Sequence, residues 1–232
     1  MAPVENSLAG SIHAVWDLLP DYTPSIAGEI YYHVRHCLIG LPGTELEDIR
    51  SVYSHPQALA QCAAFLLDLE NLDPANILEE YDTAGAVTLV KEAKKRERAA
   101  IAPREAAEQH AMKVLAADIQ THTHNYTRFL VLGLHHDTLA DARTNIKTTL
   151  VCTLNHTAAA LPDLLGAFNQ RQIPIYKAET RKLENDPWAY RLYLECLGDA
   201  QEEKVAAALA DIQDTVRDAT LIGSYHTAPL LP

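Results

Sequence analysis

The spacing of apolar positions changes several times along the chain, and each change predicts an element. After Glu5-Asn6-Ser7, residues Leu8, Ile12, Val15, Trp16 and Leu19 recur at helical spacing up to Pro20, which predicts a first helix capped by Asn6 or Ser7. β-Branched and aromatic residues then dominate 25–41 and predict a strand, stopped by Pro42-Gly43. A short strand over 51–53 leads into Ser54-His55-Pro56. Pro56 is tolerated in a first helical turn, so a helix is expected from Gln57 to about Leu69. A strand over 76–81 follows, then a helix capped by Asp82-Thr83 that ends in a basic run. A small apolar strand over 99–102 and a short helix over 105–110 come next, before Val114-Leu115 leads on towards Asn125.

At Asn125 the pattern switches sharply. The polar run Thr121-His122-Thr123-His124-Asn125 gives way within a few residues to Leu130-Val131-Leu132-Gly133-Leu134, which reads as a loop entering a buried strand. Thr127 and Arg128 would stand at its mouth, where open α/β folds hold ligands. A polar linker carrying His135-His136-Asp137 is expected over 134–145. Beyond it come a strand over 148–154, a helix over 159–170, and strands over 173–183 and 189–197 joined at Asn185-Asp186-Pro187. A helix over 202–216 and a strand over 219–225 complete βαββαβ, the ferredoxin-like unit. Units of this kind more often bind or regulate than catalyse, so chemistry is sought before residue 140.

Composition narrows the classes. The 232 residues suit one large domain or two small ones, and 48% hydrophobic with 22% charged residues is ordinary for a globular protein. A formal charge of −12 argues against nucleic acid and anionic membrane as partners. The single basic run, 91–98, ends a helix, where cations complement the negative end of the dipole. Cys37, Cys62, Cys152 and Cys196 are widely spaced and form no CxxC pair, so buried free thiols in a reducing cytoplasm are expected. No apolar run reaches membrane-spanning length, and the first residues do not read as a signal sequence.

Three expected helix starts share a polar cap directly before an apolar face: Asn6-Ser7, Ser54-His55 and Asp82-Thr83. Helix N-termini offer unpaired N–H groups and partial positive charge, so they suit an anionic ligand. Gln57 and Gln61 lie on one helical face at i, i+4 and add two amides near the second start; Glu5 supplies a carboxyl group beside the first. There is no Gly-rich phosphate loop and no nucleophile elbow. The close histidine pairs (His33/His36, His122/His124, His135/His136) belong to no recognisable ligand set, so no metal is expected.

Taken together these stretches resemble prephenate dehydratases. The resemblance rests on Val4-Glu5-Asn6-Ser7 with Gly10-Ser11, Gly28-Glu29, Tyr53-Ser54-His55-Pro56-Gln57-Ala58-Leu59-Ala60-Gln61-Cys62, Thr83-Ala84, Ala100-Ile101-Ala102 and above all Asn125-x-Thr127-Arg128-Phe129. It implies an α/β catalytic domain over 1–138, two-lobed like type II periplasmic-binding proteins, with its second lobe over about 23–118 and its active site in the cleft. It also implies a C-terminal ACT regulatory domain over 146–232. The implied reaction converts prephenate to phenylpyruvate without a cofactor, loss of carbon dioxide driving expulsion of the ring hydroxyl. The resemblance makes Thr127 the group assisting that departure and places Glu5, Asn6, Ser54 and Gln61 in the catalytic set. Ser7, His55, Gln57, Thr83, Arg128 and Phe129 are expected to bind substrate or shape its pocket.

Two departures from the family pattern carry their own expectations. The family has several dozen residues before its Glu-Asn-Ser motif, which here falls at Glu5. That implies a first lobe reduced mainly to one helix and the strand after Thr127, through a truncated start, a split gene or a degenerate paralogue. The segments that bind phenylalanine in the resemblance are altered, to Ala159-Ala160-Leu161 and Glu179-Thr180-Arg181-Lys182. A dimer or tetramer through the ACT domains is expected, with L-phenylalanine as effector. The alternatives are a non-catalytic amino-acid-binding or regulatory paralogue, and a dehydratase acting on arogenate.

Overall fold

The computed structural model describes residues 1–22, 24–133, 145–155, 159–183, 186 and 188–229. The expected linker residues His135-His136-Asp137, and Asn185 and Pro187 of the expected turn, lie outside them. The chain divides into two compact units, Met1–Tyr32 with Thr127–Pro232, and His33–Tyr126.

The second unit is the simpler. Its five-stranded sheet has β4 (Cys37–Gly40), β5 (Ser51–Ser54), β6 (Ile77–Glu79), β7 (Arg98–Ala102) and β8 (Lys113–Ala116) in the order β6-β5-β7-β4-β8. β5 runs parallel to both β6 and β7, while β4 pairs antiparallel with β7 and β8. Alternate residues of the central strands feed opposite cores. Leu38, Val52, Ala99 and Ile101 pack with Leu59 of α2 (Pro56–Gln61), Leu66 of α3 (Ala63–Leu67) and Cys62 between the two helices. Ile39, Tyr53, Ala100 and Ala102 pack with Ala86, Val87 and Val90 from α4 (Thr83–Ala93) and Ala107 from α5 (Arg104–His110).

The first unit holds two sheets. One has β1 (Ala2–Asn6), β2 (Gly10–Ser11), β3 (Ser25–His33) and β9 (Tyr126–Gly133) in the order β2-β1-β9-β3; helix α1 (His13–Tyr22) belongs with it. The other has β10 (Ile146–Leu154), β11 (Ile175–Lys182), β12 (Tyr190–Leu197) and β13 (Val216–His226) in the order β11-β12-β10-β13, antiparallel throughout. With α6 (Ala160–Asn169) and α7 (Glu203–Asp211), this second sheet has the expected βαββαβ order. Leu150, Cys152, Leu192 and Leu194 face the two helices. On the opposite face Val151, Tyr193 and Tyr225 pack with Val4, Trp16, Leu19 and Leu130. Every residue of β10 is therefore buried. The four cysteines are free and buried.

Several elements differ from their expectation. The helix predicted from Leu8 begins at His13, because residues 2–6 form β1 against β9. A bulge at Val4 turns its carbonyl to Ile12 N (2.9 Å) and Trp16 Nε1 (2.8 Å), so the helix is tied to the strand from its first turn. The first sheet thus has four strands, which corrects the expectation of a part reduced mainly to one helix and one strand. The strand predicted over 25–41 is two strands in different sheets, and the helix from Gln57 breaks at Cys62. Val216 opens β13; it does not end the helix before it. Residues 2–6 become a strand only through pairing with β9, which spacing along the chain does not report.

Candidate functional site

In the first unit the site residues gather where β1 meets β9. Asn6 pairs with Thr127 and Glu5 with Arg128 across the antiparallel ladder. Asn6 is no helix cap: it ends β1, and its Oδ1 accepts from the backbone N–H of Leu8 (3.0 Å) and Ala9 (2.9 Å). With the amide oxygen so engaged, Asn6 Nδ2 is turned to donate to Thr127 Oγ1 at 3.1 Å. The Thr127 oxygen accepts there, which leaves its own proton to be donated elsewhere. Ser7 is exposed in the turn after β1, and Phe129 is half-buried on β9.

Arg128 points to the other face of β9 and is buried. Its Nε donates to Glu29 at 2.6 Å, and Nη1 and Nη2 donate to the two oxygens of Glu195 at 2.6 Å each. Nη2 also reaches the Tyr225 hydroxyl at 3.0 Å, and Nη1 lies 3.5 Å from Glu5 Oε2. Lys147 Nζ lies 3.0 Å from Glu29 Oε2, so two buried cations meet two buried carboxylates. Burial alone would raise the Glu195 carboxyl, but the Arg128 hydrogen bonds and charge, with Lys147, hold it below the ordinary carboxylate value. Burial and the Glu29 charge push the nearby Tyr31 phenol up to about 12.

In the second unit, Ser54, His55 and Thr83 sit where adjacent parallel strands end. Ser54 pairs with Glu79 in register, and its carbonyl accepts from Glu80 N at 2.8 Å. Ser54 is fully buried and its hydroxyl donates to Ile101 O on β7 at 2.6 Å, so an incoming ligand finds an acceptor there, not a donor. His55 is the residue that caps α2, its Nδ1 accepting from Gln57 N at 3.2 Å. Because α2 has six residues, its end charge is weaker than a full helix would give. Asp82 caps α4, accepting from Gly85 N at 2.6 Å, with Thr83 half-buried as the first helical residue. Gln57 is exposed.

Gln61 is held more firmly. Its Oε1 lies 2.8 Å from His36 Nε2, and its carbonyl accepts from Thr121 N at 2.8 Å. His36 in turn donates its backbone N–H to Gln120 Oε1 at 2.9 Å. Burial lowers the His36 pKa, partly offset by the Gln61 hydrogen bond, so the ring favours its neutral form. Sequence reasoning missed His36, Glu195 and Lys147. For Glu195 and Lys147 the available signal was a charge inside a strand, while His36 lies between β3 and β4.

Of the residues linked to regulation, Glu179 and Arg181 lie on β11, and both are engaged within their own unit. Glu179 meets Lys177 (2.9 Å), Ser11 Oγ and His13 (3.3 Å), while Arg181 pairs with Asp17. Burial would raise the Glu179 carboxyl, but the Ser11 and Lys177 hydrogen bonds bring it below its ordinary value. Thr180 is exposed on the same strand. Ala159 and Ala160 start α6 without a side-chain cap, and Leu161 is half-buried.

A family model described as prephenate dehydratase matches residues 1–137. The chain is 32% identical to a bifunctional N-acyl-homoserine lactone acylase/prephenate dehydratase of Komagataeibacter europaeus, covering 99% of this chain and 80% of that protein. It is 34% identical to arogenate dehydratase/prephenate dehydratase 2 of Arabidopsis thaliana, covering 96% of this chain and 60% of that one. It spans 58% of a bifunctional chorismate mutase/prephenate dehydratase of Enterobacter agglomerans, at 32% identity over 99% of this chain. Among solved structures, prephenate dehydratase of Arthrobacter aurescens in complex with L-Phe superposes with a TM-score of 0.83 at 30% identity, over 97% of this chain and 74% of that one.

Proposed function

Because this chain belongs to the prephenate dehydratase family, we propose that it carries out the decarboxylating dehydration of prephenate to phenylpyruvate, as a hydro-lyase of L-phenylalanine biosynthesis. The observation that carries this reading is the Asn6–Thr127 pair, a hydroxyl whose oxygen is already satisfied and whose proton is available. Departure of the ring hydroxyl as carbon dioxide leaves needs a donor at that oxygen, and a threonine hydroxyl supplies a hydrogen bond there without full proton transfer. Glu5 lies beside this pair as the cross-strand partner of Arg128.

We assign recognition of substrate oxygens to the His55 ring and Gln61, with Ser54 as an acceptor for a substrate hydroxyl, Gln57, the start of α4 at Thr83, and Ser7 as further polar contacts and Phe129 as apolar wall. With its donors occupied inside the protein, Arg128 is given a supporting part. The chemistry calls for no cofactor. We further read residues 1–138 as a type II periplasmic-binding-protein-like catalytic domain and 146–232 as an ACT regulatory domain, the latter on its βαββαβ order. L-Phenylalanine is its proposed effector, since a relative at 30% identity was solved with L-Phe. β11 ends its sheet and is the proposed edge for homo-oligomers. The free, buried thiols fit a reducing cytoplasm.

Arogenate is the second reading of substrate, favoured by the arogenate dehydratase/prephenate dehydratase at 34% identity. The test is purified protein incubated with each substrate in turn. Phenylpyruvate from prephenate supports the first reading and phenylalanine from arogenate the second. Turnover of neither, with L-phenylalanine binding in calorimetry, points to a non-catalytic regulatory protein.

A further inference from the structure

The cross-strand pair Glu5–Arg128 on the first sheet faces a cross-strand pair of opposite pattern on the βαββαβ sheet, Lys177–Glu195. Arg128 is chelated by both oxygens of Glu195 at 2.6 Å, and Lys177 Nζ lies 3.6 Å from Glu5 Oε1. Thr149 Oγ1 (3.1 Å) and the Tyr225 hydroxyl (2.9 Å) also donate to Glu195 Oε1, so the carboxylate is fixed before the arginine is considered. Glu195 is 1% exposed and Arg128 4%, so no water competes for this bond.

Neighbouring residues of a strand point to opposite faces, so gripping Arg128 sets the roll of β9 and thereby the direction of Thr127. That grip matters here because the ladder between β1 and β9 is interrupted by the bulge between Pro3 and Glu5, close to Thr127. We propose that Glu195 of the βαββαβ module is a positioning residue for the dehydration, acting through Arg128 to aim the Thr127 hydroxyl. The proposal rests on the reading of Thr127 given above, and it makes the module a structural part of the reaction centre, over and above any regulatory role.

The test uses the full chain carrying Glu195→Gln, Tyr225→Phe, Thr127→Ala, and Thr127→Ala combined with Glu195→Gln. Tyr225→Phe loosens the carboxylate while keeping the ring, so it serves if Glu195→Gln does not fold. The expected result is a fall in kcat of about 100-fold for Glu195→Gln, the scale of a small misplacement of a reacting group, with KM unchanged within about twofold. Tyr225→Phe should lower kcat about 3- to 10-fold, since it removes the hydroxyl that bridges Arg128 and Glu195 but leaves their ion pair intact. Adding Glu195→Gln to Thr127→Ala should cost nothing further, because the clamp acts only through Thr127. Full kcat in folded Glu195→Gln, or losses that multiply in the double variant, overturns the proposal. A second readout needs no turnover: the Thr127 methyl resonance should shift or broaden in Glu195→Gln while that of Thr88 on α4 stays put. A wild-type protein inactive on both substrates refutes the proposed function, and the Thr127 methyl then decides the clamp alone, an unmoved signal sinking it.

Discussion

The two units hold their candidate groups by opposite means. In the first, Thr127 stands on a strand anchored by buried ions, Arg128 and Lys147 against Glu29 and Glu195. In the second, Ser54 and Gln61 are held by neutral hydrogen bonds, to Ile101 O and to His36. The difference lies in what each tolerates. A buried ion cluster fixes geometry tightly but leaves a stranded charge when one member goes, whereas a neutral pair leaves only an unsatisfied dipole.

That contrast is broken most severely at Arg128. Arg128→Met leaves the buried Glu195 carboxylate without its ion partner, while Glu29 keeps Lys147, and should cost about 3–5 kcal/mol, read as a fall in denaturant midpoint. In the second unit Ser54→Ala leaves Ile101 O unmet in a dry site, an expected cost of about 1–3 kcal/mol by the same measurement. A larger loss at Ser54 than at Arg128 would reverse the comparison. At the mild end, Asp82→Ala removes the cap on Gly85 N and should cost about 1 kcal/mol.

Acid separates the units in a different way. The Glu195 carboxyl has its pKa lowered in the folded protein, so its stabilisation is complete above the unfolded value near 4 and fades as pH falls through the lower folded value. His36 is also lowered, so the unfolded chain takes up the proton first; its contribution is full above about pH 6.5 and declines as pH falls from there. Amide exchange followed from pH 7 to 5 should therefore show protection weakening around Gln61 before it weakens around Arg128. His36→Asn should remove the part of that decline due to the imidazole.

Much of this was legible in the residues. The βαββαβ order followed from alternation and helical spacing over 148–225, and the burial of both faces of β10 explains its run of apolar and small polar residues. The Asn125–Phe129 stretch marked the start of β9 because polarity changes there within a few positions. What spacing could not report was long-range pairing. Residues 2–6 look like a lead-in to a helix, and only the partner strand β9 makes them a strand. Asn6 was legible as polar and near a helix start, but its actual work, orienting Thr127, depends on a residue 121 positions away. Glu195 and Lys147 were hidden for the same reason, since a charge inside an apolar strand acquires meaning only from the opposite charge it meets.

The proposed dehydration depends on the Thr127 hydroxyl, oriented by Asn6, assisting loss of the ring hydroxyl. The most direct measurement is kcat for Thr127→Ala on prephenate, with folding checked by circular dichroism. A nearly complete loss of turnover is expected, in a folded protein whose affinity for prephenate is little changed. A folded Thr127→Ala protein that converts prephenate at the full rate would contradict it.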